Sequence, residues 1–173
     1  MSRRVVAITI LAPVAEGRID ALRAAIDALE VGPGSPLARI AGLHVGRWLI
    51  VDELEVIAGR RAPPPGPFLL FAADIDPPEA AAFAAIATHC GEILRHCVGC
   101  PDPGDSRAFD SWLTDHRVPD GFTVMPYPDR PLSDVRRGLE LRERLGAFAI
   151  ASQGLDPVAL QEMFLDDFPE VPV

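Results

Sequence analysis

The chain contains no lysine and no asparagine, and all 16 of its basic residues are arginine. Without lysine there is no Schiff-base chemistry, and without asparagine no N-glycosylation. No basic cluster interrupts a net charge of −9, so neither nucleic acid nor an anionic membrane surface is an expected partner. Apolar runs are short, and none reaches the roughly 18 residues of a membrane span. Cysteine is scarce, and its odd number, three, fits a reducing cytoplasm better than a disulfide framework. Also missing are G-x-S-x-G, H-E-x-x-H, a P-loop and G-x-G-x-x-G. Their absence argues against a serine hydrolase, a zincin, a nucleotidase and a Rossmann dehydrogenase.

What is present is a foldable apolar content, 49% of 173 residues. A chain of this size buries roughly 70% of its unfolded surface as one ordinary domain. The start, MSRRVVAITILAPVAEG, has a positive end and a short apolar run. It lacks a convincing small-residue cleavage site and reads as a strand rather than a signal peptide. Cytoplasmic localisation is the expectation.

The stretch from Gly42 to Glu53, GLHVGRWLIVDE, organises the rest. It reads as a central strand with two special side chains, His44 and Arg47. Regular alternation puts His44, Gly46, Trp48 and Ile50 on one face, and Leu43, Val45, Arg47, Leu49 and Val51 on the other. Both faces are largely apolar, so each needs a cover.

Around it the expected order is a strand over 4–12, then a helix over 18–29 with Ile19, Leu22, Ile26 and Leu29 in one stripe. The GLHVGRWLIVDE strand and a strand over 68–74 come next. Asp76-Pro-Pro-Glu79 opens a long helix over about 78–98, with Asp76 suited to cap it. A short helix over 106–116, a strand over 121–127 and a helix over 132–151 follow. Residues 1–155 make the domain, and 156–173 an acidic tail holding one short helix. This is a ferredoxin-like βαββαβ order: α+β, a four-stranded antiparallel sheet, helices on one face and an extra C-terminal helix. The other sheet face is too apolar to stay wet, so the C-terminal helix or a second chain covers it.

That order, with GLHVGRWLIVDE as second strand and PFLLFAADID as third, resembles the dimeric α+β barrel superfamily over residues 4 to about 128. The resemblance implies two ferredoxin-like sheets packed face to face in a homodimer. It also implies chemistry of the kind found there: cofactor-free monooxygenases and cyclases on aromatic polyketides, lactone isomerases, and haem-binding enzymes. No subfamily motif is matched, so no site residue is carried over.

The residues themselves suggest the following chemistry. His44 is suited to acid–base work or to axial haem ligation, because imidazole titrates near neutral pH. Arg47 would hold an anionic group if a bulge, expected at Gly46, turned it inward. Trp48 would stack on a flat substrate. The plain alternative is an interior, hydrogen-bonded His44, an Arg47 paired with a helix carboxylate, and Trp48 in the core. His89 and His96 fall nearly two turns apart on the long helix, about 10 Å on one face. They are too far apart for one metal but able to face a pocket. Cys97 and Cys100 have C-x2-C spacing without a second pair, so zinc is not expected. They follow a helix rather than start one, which opposes a reactive thiolate. Asp74 and Asp76 read as helix caps rather than a catalytic pair. The leading expectation is a small-molecule enzyme or binder for a hydrophobic or aromatic ligand, without cofactor. Haem on the same fold and a non-catalytic assembly role through the 132–151 helix are the alternatives.

Overall fold

The computed structural model describes residues 5–52, 66–119 and 127–169. Among them the chain is α+β. It forms β1 (Val6–Pro13), α1 (Ile19–Asp27), β2 (Leu43–Val51), β3 (Phe68–Ile75), α2 (Glu79–Leu94), α3 (Ser106–Asp115), α4 (Leu132–Ala151) and α5 (Pro157–Asp167). Two short 3-10 turns, Gly32–Gly34 and Pro36–Arg39, lie between α1 and β2. The strands make one antiparallel sheet in the order β1-β3-β2. A four-stranded sheet is not seen among the described residues, because the fourth strand expected over 121–127 falls almost wholly outside them. The outer edge of β1 still finds partners. Leu11 N–H donates to His116 O at 2.9 Å, Val118 N–H to Thr9 O at 2.8 Å, and Val5 N–H to Pro128 O at 2.7 Å.

The chain divides into two compact units, Met1–Leu132 and Ser133–Val173. In the first, one face of the sheet is the core face. Ile8, Ile10 and Ala12 of β1 and Leu69, Phe71, Ala73 and Ile75 of β3 are buried there. Leu22 of α1, most of α2's apolar residues, and Phe109, Trp112 and Leu113 of α3 join them in one cluster. The stripe expected on the first helix is observed: Leu22 is buried, and Ile19, Ile26 and Leu29 pack partly buried beside it. Trp48 lies across from Phe71, their rings stacked at 4.2 Å, an arrangement that adds about 0.5–1.5 kcal/mol to simple burial.

The other face runs in cross-strand rows: Ala7, Asp74 and Val45; Thr9, Ala72 and Arg47; Leu11, Leu70 and Leu49. Val45 is 59% and Leu49 44% exposed.

Two sequence expectations need correction here. The long helix ends at Leu94 rather than near Val98. Beyond it the backbone turns to bond with the end of β1. Ala15 N–H donates to His96 O and Val98 N–H to Pro13 O, each at 2.8 Å, and Val14 bridges Cys97. These non-local bonds replace the next helical turn. The register shift falls at His44, not at Gly46. Leu43 pairs with Ile75 and Val45 with Asp74, so His44 is the extra residue. This moves Leu43 to the core face beside Gly46, Trp48 and Ile50. Gly46 is instead a point of close approach, where a Cβ would lie 3.1 Å from Leu37 Cδ1.

In the second unit, Asp156 caps α5, accepting from Val158 and Ala159 N–H at 2.9 and 3.2 Å. Phe148 of α4 meets Phe164 and Phe168 edge-on, at 5.7 and 5.5 Å. The Arg144 guanidinium sits 4.9 Å from the Phe168 ring centre and donates to Asp167 O. Apolar spacing predicts one buried stripe on the 132–151 helix, Leu132, Val135, Leu139, Leu145 and Phe148; it is not observed, since no residue of α4 is buried. From Leu139 to Leu145 is six residues, which at about 100° each leaves the two about 120° apart. The expected stripe therefore spans two faces.

Because Phe71 is central in the core and carries Trp48, Phe71→Ala is expected to cost about 3–5 kcal/mol. Leu11→Ala, on the half-buried face, is expected to cost about 1 kcal/mol. Urea unfolding of both variants with an unchanged denaturant slope measures the difference.

Candidate functional site

The register shift that makes His44 the extra residue of β2 sets it beside the end of β3. The Nε2–H of its imidazole donates to Asp76 Oδ1 at 2.9 Å, since a carboxylate can only accept. The second carboxylate oxygen, Oδ2, accepts the Leu132 backbone N–H at 2.9 Å. Asp76 N–H in turn donates to Gly42 O at 2.7 Å. Gly42 has φ +77°, and a Cβ there would lie 2.8 Å from Asp76 Cβ. Glycine therefore serves twice, tolerating a left-handed backbone and leaving room for the Asp76 side chain. His44 and Asp76 are 15% and 20% exposed in their side chains, sheltered but not sealed.

The hydrogen bond fixes the neutral tautomer, leaving the Nδ1 lone pair free. Among the described residues, one buried side-chain nitrogen or oxygen lacks a partner, and it is Nδ1 of His96. Nδ1 of His44 makes no hydrogen bond to another described residue, and its side chain stays 15% exposed. The result is an imidazole whose ring is oriented by the Asp76 carboxylate.

Asp76 was not anticipated as a partner of His44. Sequence reading assigns it to the cap of α2, but the residue at that N-terminus is Pro78, with no side-chain cap. A signal was available. In an antiparallel hairpin the start of one strand faces the end of the next. His44 and Asp76 therefore become neighbours once the two strands are paired.

The other candidates lie elsewhere. Arg47 is exposed on the open face in the row of Thr9 and Ala72. The bulge precedes it and does not turn it toward the core. Trp48 is half-buried on the core face. With Arg23, Ile26, Asp27, Leu49 and Ile50 it lines a groove of about 260 Å³ between α1 and β2. Four residues of strand separate it from His44, roughly 13 Å, so one small ligand does not touch both. His89 is half-buried on α2.

His96 follows the helix end and is 8% exposed. Burial lowers its pKa first, then the Arg18 and Arg95 cations, with Glu92 opposing. Because α2 ends before it, His96 does not continue the helical face of His89.

The cysteines are free thiols. Burial pushes Cys90 and Cys97 up to about 12 and Cys100 to about 11, which keeps them protonated and unreactive at neutral pH. His116 hydrogen-bonds through Nδ1 to Trp112 O at 2.8 Å. Among the described residues no cluster of three or more His, Cys, Asp or Glu is placed to hold a metal ion. His44 commits Nε2 to Asp76, and the unpartnered nitrogen of His96 is shut off from solvent. No helix among the described residues is long and apolar enough to cross a membrane.

Set against family models, curated proteins and solved structures, the chain matches none of them.

Two outcomes are expected. Gly42→Ala forces a Cβ against Asp76 and a left-handed backbone on alanine, at about 1–3 kcal/mol. NMR of the imidazole nitrogens then finds the pinned Nε2–H tautomer of His44 lost. For His96, the folded pKa lies below the unfolded one, so the unfolded chain binds the proton first. Its contribution is neutral above about pH 6.5. Stability then falls as pH drops through that value, until the folded form also protonates. Urea midpoints between pH 7.5 and 5 should show this decline, and His96→Gln should flatten it.

Proposed function

We propose that the first unit is an acid–base domain acting on a hydrophobic or aromatic small molecule, with His44 as the proton-transfer residue and Asp76 as its orienting partner. One observation carries the reading: a single carboxylate, held by Leu132 N–H and seated against Gly42, fixes the imidazole through Nε2 and leaves Nδ1 open. The chemistry that suits this pair is abstraction of a proton from an acidic C–H or O–H, as in an enolisation, a cyclisation, or the deprotonation that precedes a cofactor-free oxygenation.

The strand order β1-β3-β2, with helices on the core side, supports a ferredoxin-like sheet of the dimeric α+β barrel type. A fourth strand would lie beyond β1, and the open face of Val45, Leu49, Leu70 and Leu11 would meet a second copy. Arg47 stands on that open face. There it is a candidate to hold an anionic group of a ligand enclosed between two sheets, while Trp48, on the other face, stays stacked on Phe71.

The test is aerobic turnover of a hydroxylated polycyclic aromatic such as an anthrone, followed by oxygen uptake. His44→Ala should abolish turnover with the urea midpoint nearly unchanged. Asp76→Asn should lower kcat by about 10²-fold or more, consistent with loss of an oriented base. Activity that survives His44→Ala ends the proposal. A Soret band in the purified protein would replace it with haem chemistry.

A further inference from the structure

The open face of the sheet carries a polar group that the fold does not use. β3 is the central strand, and Asp74 is its one residue that is not apolar. Asp74 lies on the open face between Ala7 of β1 and Val45 of β2. It is half-buried, yet among the described residues it makes no hydrogen bond and no ion pair. Aspartate is disfavoured inside a strand, and a sheltered charge is ordinarily paired. Packing gives no reason for an acid at this position.

Alternation along β3 places this acid beside the His44–Asp76 pair. Ile75 is buried in the core, and Asp76 continues the ladder by donating its N–H to Gly42 O at 2.7 Å. Asp76 thus stands on the same side of the sheet as Asp74, roughly 7 Å along the strand. His44, bonded to Asp76, closes that end of the face. Arg47 lies one row to the other side of Asp74 and diagonal to it, exposed and without an ion-pair partner among the described residues. Diagonal neighbours stand roughly 7–8 Å apart. The open face therefore presents, in order, an oriented imidazole, a carboxylate and a guanidinium, with the small side chains of Ala7, Ala72 and Thr9 around them.

We infer that Asp74 is a specificity-determining residue of the His44 site, accepting a hydrogen bond from a hydroxyl of an aromatic ligand whose carboxylate is held by Arg47. The inference rests on the reading of His44 given above, and it narrows the ligand to an aromatic hydroxy acid. The two charges admit one polarity. A ligand carboxylate at Asp74 meets a like charge, whereas at Arg47 it is gripped through two charge-assisted bonds. The donor end then lies toward His44 and the anionic end away from it. Two fused rings substituted at opposite ends have the length for both contacts, and they are flat enough to lie on small side chains. A metal ion is a poorer occupant, because among the described residues no three of His, Cys, Asp or Glu converge on one point.

Isothermal titration calorimetry of the full chain with three probes tests it: a hydroxynaphthoate with its two groups at opposite ends, naphthoate, and naphthol. The wild type should bind the hydroxynaphthoate about tenfold more tightly than naphthoate, as one hydrogen bond to a charged acceptor supplies. Asp74→Ala should erase that preference by weakening the hydroxynaphthoate and not naphthoate. Asp74→Asn, which keeps an acceptor oxygen, should restore part of it. Arg47→Ala should weaken both acids and leave naphthol unchanged. Neither Asp74 variant removes a bond seen among the described residues, so their urea midpoints should stay near wild type.

A wild type that binds the hydroxynaphthoate no better than naphthoate overturns the inference. So does a preference that survives Asp74→Ala, or an Asp74→Ala that weakens all three probes alike, which is the mark of a role in folding. His44→Ala separates the two readings, since it should keep the binding preference while abolishing turnover. Turnover lost in His44→Ala without any preference for the hydroxynaphthoate ends the Asp74 assignment alone. Turnover that survives His44→Ala ends the proton-transfer reading on its own.

Discussion

Antiparallel pairing of β3 with both β1 and β2 is the constraint on which the first unit depends. β3 is the central strand, and its residues from Phe68 to Ile75 are apolar apart from Asp74. Each backbone group buried there needs a partner, because an unsatisfied one costs about 1–3 kcal/mol. The two neighbours supply those partners, and α1, α2 and α3 then cover one face. Once β3 is central, alternation does the rest. Leu69, Phe71, Ala73 and Ile75 enter the core, and Leu70, Ala72 and Asp74 fall on the open face.

The same pairing builds the site. A regular hairpin would keep His44 in step with Trp48. One extra residue at His44 breaks that step, separates His44 from Trp48, and leaves it at the end of β3 where Asp76 stands. Asp76 is itself anchored by backbone rather than by other side chains: it accepts from Leu132 N–H and donates to Gly42 O. The His44–Asp76 pair therefore rests on strand register, a left-handed glycine and a bulge, all of them backbone features. A bulge beside a functional side chain is a recurring way to re-aim it.

Much of this was legible in the residues, and the reasons differ by element. The α1 stripe was readable because Ile19, Leu22, Ile26 and Leu29 repeat at the helical period and face one core. β2 and β3 were readable as apolar runs bounded by turn-forming residues, and His44 stood out because histidine is rare in such a run. α4 was readable as a helix but not as to its buried side. Its apolar residues lie on two faces, and periodicity alone does not say which one finds a partner. The end of α2 was missed because residues 96–98 remain compatible with helix, while β1 offers them backbone bonds from a distance.

By itself, then, the sequence determined the element types, their order, the apolar character of the core and the candidate status of His44. These follow from local periodicity and from the chemistry of single side chains. Only the tertiary structure decided that Asp76 orients His44 rather than capping α2, that Leu43 joins Trp48 on the core face, and that His96 is buried near Arg18. Each of these depends on residues far apart in the chain brought together by strand register. A one-residue shift in that register, invisible in composition or spacing, reverses which face a side chain meets.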